Sequence, residues 1–73
     1  MEILDRVGAL IREHRRAKGL SQEELGHRAD LHRTYVSSLE RGVRNPTITV
    51  LCRIAAALET SVSELLAGLE TKG

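Results

Sequence analysis

The chain has 73 residues, a formal net charge of +1, and 41% apolar residues led by 11 Leu and 7 Ala, with Tyr35 as its one aromatic. That length and helix-forming composition fit one small domain and exclude an elaborate enzyme, whose cleft needs a supporting shell to stay rigid. A lone cysteine, Cys52, rules out an intramolecular disulfide, and no apolar run is long enough to span a membrane.

Helix α1 is expected from about Ile3 to Lys18. Ile3, Val7, Leu10, His14 and Ala17 recur at helical spacing and form one stripe, widened by Leu4 and Ile11, and Gly19 supplies a left-handed stop. The next start is marked three ways. Ser21 and Glu24 have the spacing of a capping box, and Leu20 and Leu25 that of a hydrophobic staple, so a second helix begins at Gln22. It ends near Ala29, because Asp30 tolerates the left-handed backbone of a sharp turn. Leu31 and His32 bridge to a third helix, Arg33 to Arg41, which buries Val36 and Leu39 and is closed by Gly42.

Asn45-Pro46-Thr47 reads as a turn and an N-cap. A fourth helix follows, with Ile48, Leu51, Ala55 and Leu58 as its inner stripe and Cys52 flanking that stripe as a small core hydrophobe. Its other side is apolar too, through Val50, Ile54 and Ala57, where a surface helix normally carries charge. Ser61 and Glu64 repeat the capping-box spacing and open a short fifth helix whose Val62, Leu65, Leu66 and Leu69 exceed what one small core needs. A core of this size supplies only ~3–5 kcal/mol, so the excess is assigned to a two-fold partner. The expected interface is Val50, Ile54, Ala57, Val62, Leu65 and Leu66. The whole chain, 1–73, is thus read as one all-α, five-helix domain, with a helix-turn-helix at about 21–42 and a dimerisation region at about 48–69.

Charge is uneven along this plan. Residues 12 to 44 carry eight Lys/Arg against five Asp/Glu, a balance of +3, while the flanking segments each sum to −1. Residues 21 to 42 combine two short helices, a turn, a small residue at Gly26 where backbones would meet, and an apolar anchor at Leu31, as a helix-turn-helix requires. With Val36 and Leu39 inward, the 100° step turns Thr34, Ser37, Ser38 and Arg41 outward, and Arg33 and Tyr35 flank the first turn. This acid-free face offers a guanidinium for guanine, a methyl and hydroxyl for thymine or phosphate, and small hydroxyls that permit close approach to a major groove.

Gln22, Gly26, Ser37, Glu40 and Gly42 together resemble the Cro/repressor-type helix-turn-helix family. The run Arg33-Thr34-Tyr35-Val36-Ser37, followed by Glu40 to Pro46, is more narrowly similar to the controller proteins of restriction–modification systems. The resemblance covers nearly the whole chain. It implies a homodimeric transcription regulator that binds a pseudo-palindromic operator and activates or represses its own gene and a neighbouring nuclease gene. It also implies base reading from Arg33, Thr34 and Tyr35, joined by Ser37 and Ser38 on the outward face, and a phosphate contact from Gln22. Ser21, Arg41, Arg44 and Asn45 fall among backbone or supporting positions, and Arg15 with Glu40 matches an ion pair tying the first helix to the third. Glu23 projects outward, as a solvated glutamate or a contact for RNA polymerase. Gly26 stands where the family usually has Ala, at ~1 kcal/mol of helix propensity.

His14 is read as half-buried, and His27 and His32 lack partners at metal spacing, so no metal or cofactor is expected. Paired carboxylates, a nucleophile with its base and a phosphate-cradling loop are all missing, which argues against an enzyme. A cytoplasmic setting is expected, with double-stranded DNA as partner and no membrane. Two alternatives stay open: a phage-type repressor or antitoxin of the same fold, and a helical module whose hydroxyl-rich third helix meets a protein.

Overall fold

The computed structural model describes residues 2–70. Five α-helices follow in order: α1 (Glu2–Ala17), α2 (Gln22–Ala29), α3 (Arg33–Glu40), α4 (Ile48–Ala57) and α5 (Val62–Leu65), with a closing 3-10 turn at Ala67–Glu70. The all-helical expectation is met. The fully buried side chains Ile11, Leu25, Val36, Leu39, Ile54 and Leu65 come from all five helices and converge on one core.

Helix α1 faces that core differently from the expected stripe. Val7, Gly8, Ile11 and Arg15 point inward, whereas Ile3 is 46% exposed and Ala17 is exposed. The reason is a close approach between backbones. A Cβ on Gly8 would stand 2.4 Å from the Leu39 carbonyl oxygen and 2.6 Å from that of Glu40, so α1 rotates to lay its glycine against the end of α3. A hydropathy stripe has no weight for a missing side chain, and it cannot anticipate that a charged residue, Arg15, turns inward.

The helix boundaries follow local chemistry. The Ser21 hydroxyl accepts from the Glu24 N–H at 3.0 Å and the Glu24 carboxylate accepts from the Ser21 N–H at 2.9 Å, completing the capping box. Asp30 adopts φ 61°, and the Leu31 N–H donates to the Gly26 carbonyl at 2.7 Å, so three residues suffice to turn the chain from α2 into α3. Gly26 lies in that tight corner, where a Cβ would meet the Leu31 carbonyl oxygen at 2.5 Å. Its absence there relieves a contact as well as costing helix propensity. Thr47 caps α4 through the Val50 N–H at 3.1 Å. Of the expected second box, the Ser61 half is formed, with its hydroxyl accepting from the Glu64 N–H at 3.1 Å.

Several expectations for α4 and α5 are corrected. The core face of α4 is Leu51, Ile54, Ala55 and Leu58, and Ile48, in the first turn, is 71% exposed. Cys52 is exposed and takes no part in the core. Ile54 and Leu65, expected at a dimer interface, are wholly buried within the single chain. Because α4 packs against α2 as well as α5, its apolar surface serves two neighbours inside the subunit. Val50, Ala57, Val62 and Leu66 remain half-buried at the margin of the core.

Candidate nucleic-acid interface

Helix α3 is an eight-residue cylinder held from one side by Val36 and Leu39, with 0% and 1% of their surface exposed. Its opposite side borders an open groove of about 670 Å³, lined by Arg33, Thr34 and Ser37 of α3, Ser21, Gln22 and Glu23 from the start of α2, and Arg15 and Arg16 from the end of α1. Arg33 and Thr34 are exposed and Ser37 is half-buried. Ser38 is corrected: it is 8% exposed and its hydroxyl donates to the Tyr35 carbonyl at 2.9 Å, so it faces the protein. One step along an α-helix turns a side chain by about 100°, enough to carry Ser38 off the face that Ser37 occupies.

The orientation of α3 is fixed at its C-terminal end by a buried carboxylate. Glu40 accepts from Arg15 Nε at 2.7 Å and from a second Arg15 nitrogen at 2.9 Å, while the third guanidinium nitrogen donates to the Leu20 carbonyl at 2.8 Å. This two-point geometry is the strong form of a guanidinium–carboxylate pair. The hydrogen bonds to Glu40 raise the pKa of Arg15 against the opposing effect of burial, so the group stays cationic. Glu40 also accepts from Gln22 Nε2 at 3.0 Å, and Arg12 donates to the Glu40 carbonyl at 3.3 Å. One side chain thus joins α1, α2 and α3, and it holds Gln22 at the edge of the groove. The resemblance to the helix-turn-helix family implies this pair; its link to Gln22, 18 positions from Glu40, comes from the structure alone.

Beyond α3, the Arg44 guanidinium lies 5.0 Å from the centroid of the half-buried Tyr35 ring, a cation–π arrangement. Arg41 and Asn45 are exposed on the same stretch. His32 caps α3 by backbone conformation without a side-chain hydrogen bond. Arg16 is the groove residue that sequence reasoning missed. Its available signal was its position one residue after Arg15, which puts it on a neighbouring face of the last turn. Among the described residues no group of three or more His, Cys, Asp or Glu is placed to hold a metal ion.

Two short helices at this corner, one buried by its apolar face and the other open along a basic groove, define a helix-turn-helix protein. The helix-turn-helix family model (HTH_3) matches residues 11–65, and the chain belongs to that family. Within it, the chain is 44% identical over 66 residues to the control protein C.SmaI of Serratia marcescens, covering 90% of this chain and 79% of that protein. The restriction–modification controller protein C.AhdI of Aeromonas hydrophila superposes with a TM-score of 0.87 at 42% identity, over 89% of this chain and 98% of that one. The controller C.Esp1396I, seen as a tetramer in complex with its natural 35 base-pair operator, also gives 0.87, at 37% identity, over 96% of this chain and 92% of that one. The likeness to restriction–modification controllers that residues 33 to 46 carry is therefore borne out.

Proposed function

We propose that the chain is a sequence-specific DNA-binding transcription regulator of the restriction–modification controller type, acting as a homodimer on a pseudo-palindromic operator. The observation that carries this reading is the division of α3: one side is locked into the core by Val36 and Leu39, and the other presents Arg33, Thr34 and Ser37 along an open groove, free to approach base edges. Its likeness to a controller seen on its operator supports the same conclusion. In this reading Arg33 reads a guanine, Thr34 and Tyr35 complete the base contacts, and Gln22, with Ser21 beside it, meets a phosphate. Arg41, Arg44 and Asn45 flank them along the backbone, with Arg44 steadied by the Tyr35 ring.

The half-buried Val50, Ala57, Val62 and Leu66 are the proposed dimer contacts, which sets two α3 helices about one helical turn of DNA apart, ~34 Å. RNA polymerase on an adjacent promoter would meet the exposed rim at Glu23, giving activation, whereas occupancy of an overlapping site would repress the chain's own gene or a neighbouring nuclease gene. The proposed setting is the cytoplasm; among the described residues no helix is long and apolar enough to cross a membrane.

Selection of bound duplexes from a random pool tests the proposal. A symmetric consensus with half-sites one turn apart is the expected result, together with affinity that falls steeply as salt rises. No binding to any duplex in dilute buffer would overturn the reading and leave the hydroxyl-rich face of α3 to a protein partner.

A further inference from the structure

We propose that Arg16, in the last turn of α1, is a backbone anchor for the operator: it neutralises one phosphate from the α1 wall of the groove, without reading sequence. The inference rests on the DNA-binding reading and assigns to α1 a contact that the helix-turn-helix itself does not contain.

Three observations lead to it. Arg15 and Arg16 are neighbours in sequence but one turns inward and is consumed by Glu40 and the Leu20 carbonyl, whereas Arg16 is exposed and, among the described residues, has no carboxylate within ion-pair distance. Arg16 lines the same groove as Gln22, Arg33, Thr34 and Ser37, so its charge stands where a duplex would lie. The groove also holds the exposed Glu23 carboxylate, whose repulsion of a polyanion calls for a cation elsewhere along the groove. Arg16 supplies that cation at the groove wall, and its planar fork of N–H donors suits a phosphate.

The chemistry predicts a phosphate contact rather than a base contact, since Arg16 stands on α1 and not on the helix that enters the groove. Each neutralised phosphate releases counterions and adds about 0.9 to the steepness with which affinity falls with salt. Removing Arg16 should take about 0.9 off that slope per protomer. Between roughly 50 and 200 mM salt, the variant would then lose about 3.5-fold less affinity per protomer than the unaltered chain.

The experiment measures fluorescence anisotropy of two labelled duplexes, one carrying the selected consensus and one scrambled, at several salt concentrations. The proteins are the unaltered chain, Arg16→Ala, Arg16→Lys and Arg53→Ala. Arg53 is an exposed arginine of α4 away from the groove, and it controls for net charge. The expected result is that Arg16→Ala weakens binding to both duplexes equally and flattens the salt slope, Arg16→Lys keeps the slope, and Arg53→Ala leaves it unchanged. Circular dichroism melts of all four should coincide, because the Arg16 side chain makes no hydrogen bond among the described residues. An unaltered slope for Arg16→Ala, or a loss confined to the consensus duplex, would overturn the phosphate assignment while the DNA-binding reading stands. Failure of the unaltered chain to bind either duplex would overturn both.

Discussion

Replacing Glu40 with Ala tests how the recognition helix is held. The substitution removes two hydrogen bonds to Arg15, at 2.7 and 2.9 Å, and one to Gln22, at 3.0 Å. It leaves a guanidinium that is 10% exposed in its side chain with the Leu20 carbonyl as its remaining strong partner. Breaking a buried pair in this way costs ~3–5 kcal/mol. A chain of this length has a total stability of roughly 4–11 kcal/mol, so Glu40→Ala should lose a large part of its folded population. Urea denaturation followed by circular dichroism reads the difference. The informative companion is the double variant Arg15→Met with Glu40→Leu, which removes both charges together. Because a hydrophobic replacement of a buried pair is commonly neutral or stabilising, the double variant should regain most of the loss, and the cycle should give a large coupling energy. A Glu40→Ala protein within ~1 kcal/mol of the unaltered chain would refute the reasoning, since an interaction of that worth belongs to a solvated surface pair.

Further outcomes follow from the same structure. Gly8→Ala gains ~1 kcal/mol of helix propensity in α1 yet should destabilise the fold by ~1–3 kcal/mol, since its Cβ would press on the Leu39 and Glu40 carbonyls; a raised melting temperature would contradict the packing. Leu65→Ala and Ile54→Ala should each cost ~2–5 kcal/mol in chemical denaturation because they empty the core, while Leu66→Ala should chiefly change sedimentation. Arg33→Ala should weaken binding to the selected consensus by ~1–3 kcal/mol and relax preference at one base pair; equal weakening on scrambled duplex would make it a phosphate contact. The Glu24 carboxylate is held below its ordinary pKa by the Ser21 N–H it accepts from. An unfolded chain therefore takes up that proton first as pH falls, and the contribution of the capping box is present above the ordinary carboxylate range and lost below it. Melts of the unaltered chain and Glu24→Gln should differ at neutral pH and converge in acid.

Elements with a local cause were legible in the sequence. The Ser21–Glu24 box, the Thr47 cap, the left-handed Asp30 and the inward pair Val36 and Leu39 depend on residues within one or two turns, and the structure contains each of them. Features set by distant partners were not. The rotation of α1 depends on the carbonyls of α3 touching Gly8, and the burial of Ile54 and Leu65 depends on α4 meeting both α2 and α5. Ser38 and Cys52 were misplaced for a related reason. A short helix gives few residues to fix its phase, so a rotation of one residue exchanges inside for outside. At the groove, Arg33 and Thr34 could be read from α3 alone, whereas Arg16 required knowing where α1 ends in space.

The triple junction at Glu40 has a consequence for how such proteins diversify. Support for the reading head enters from beneath, through Arg15, Gln22 and the bare Gly8 surface, while Arg33 and Thr34 lie fully outside that framework. In the proposed reading, those two letters can therefore be rewritten with little disturbance to the scaffold, so that one small architecture would be readdressed to many target sites by changing its lettering alone.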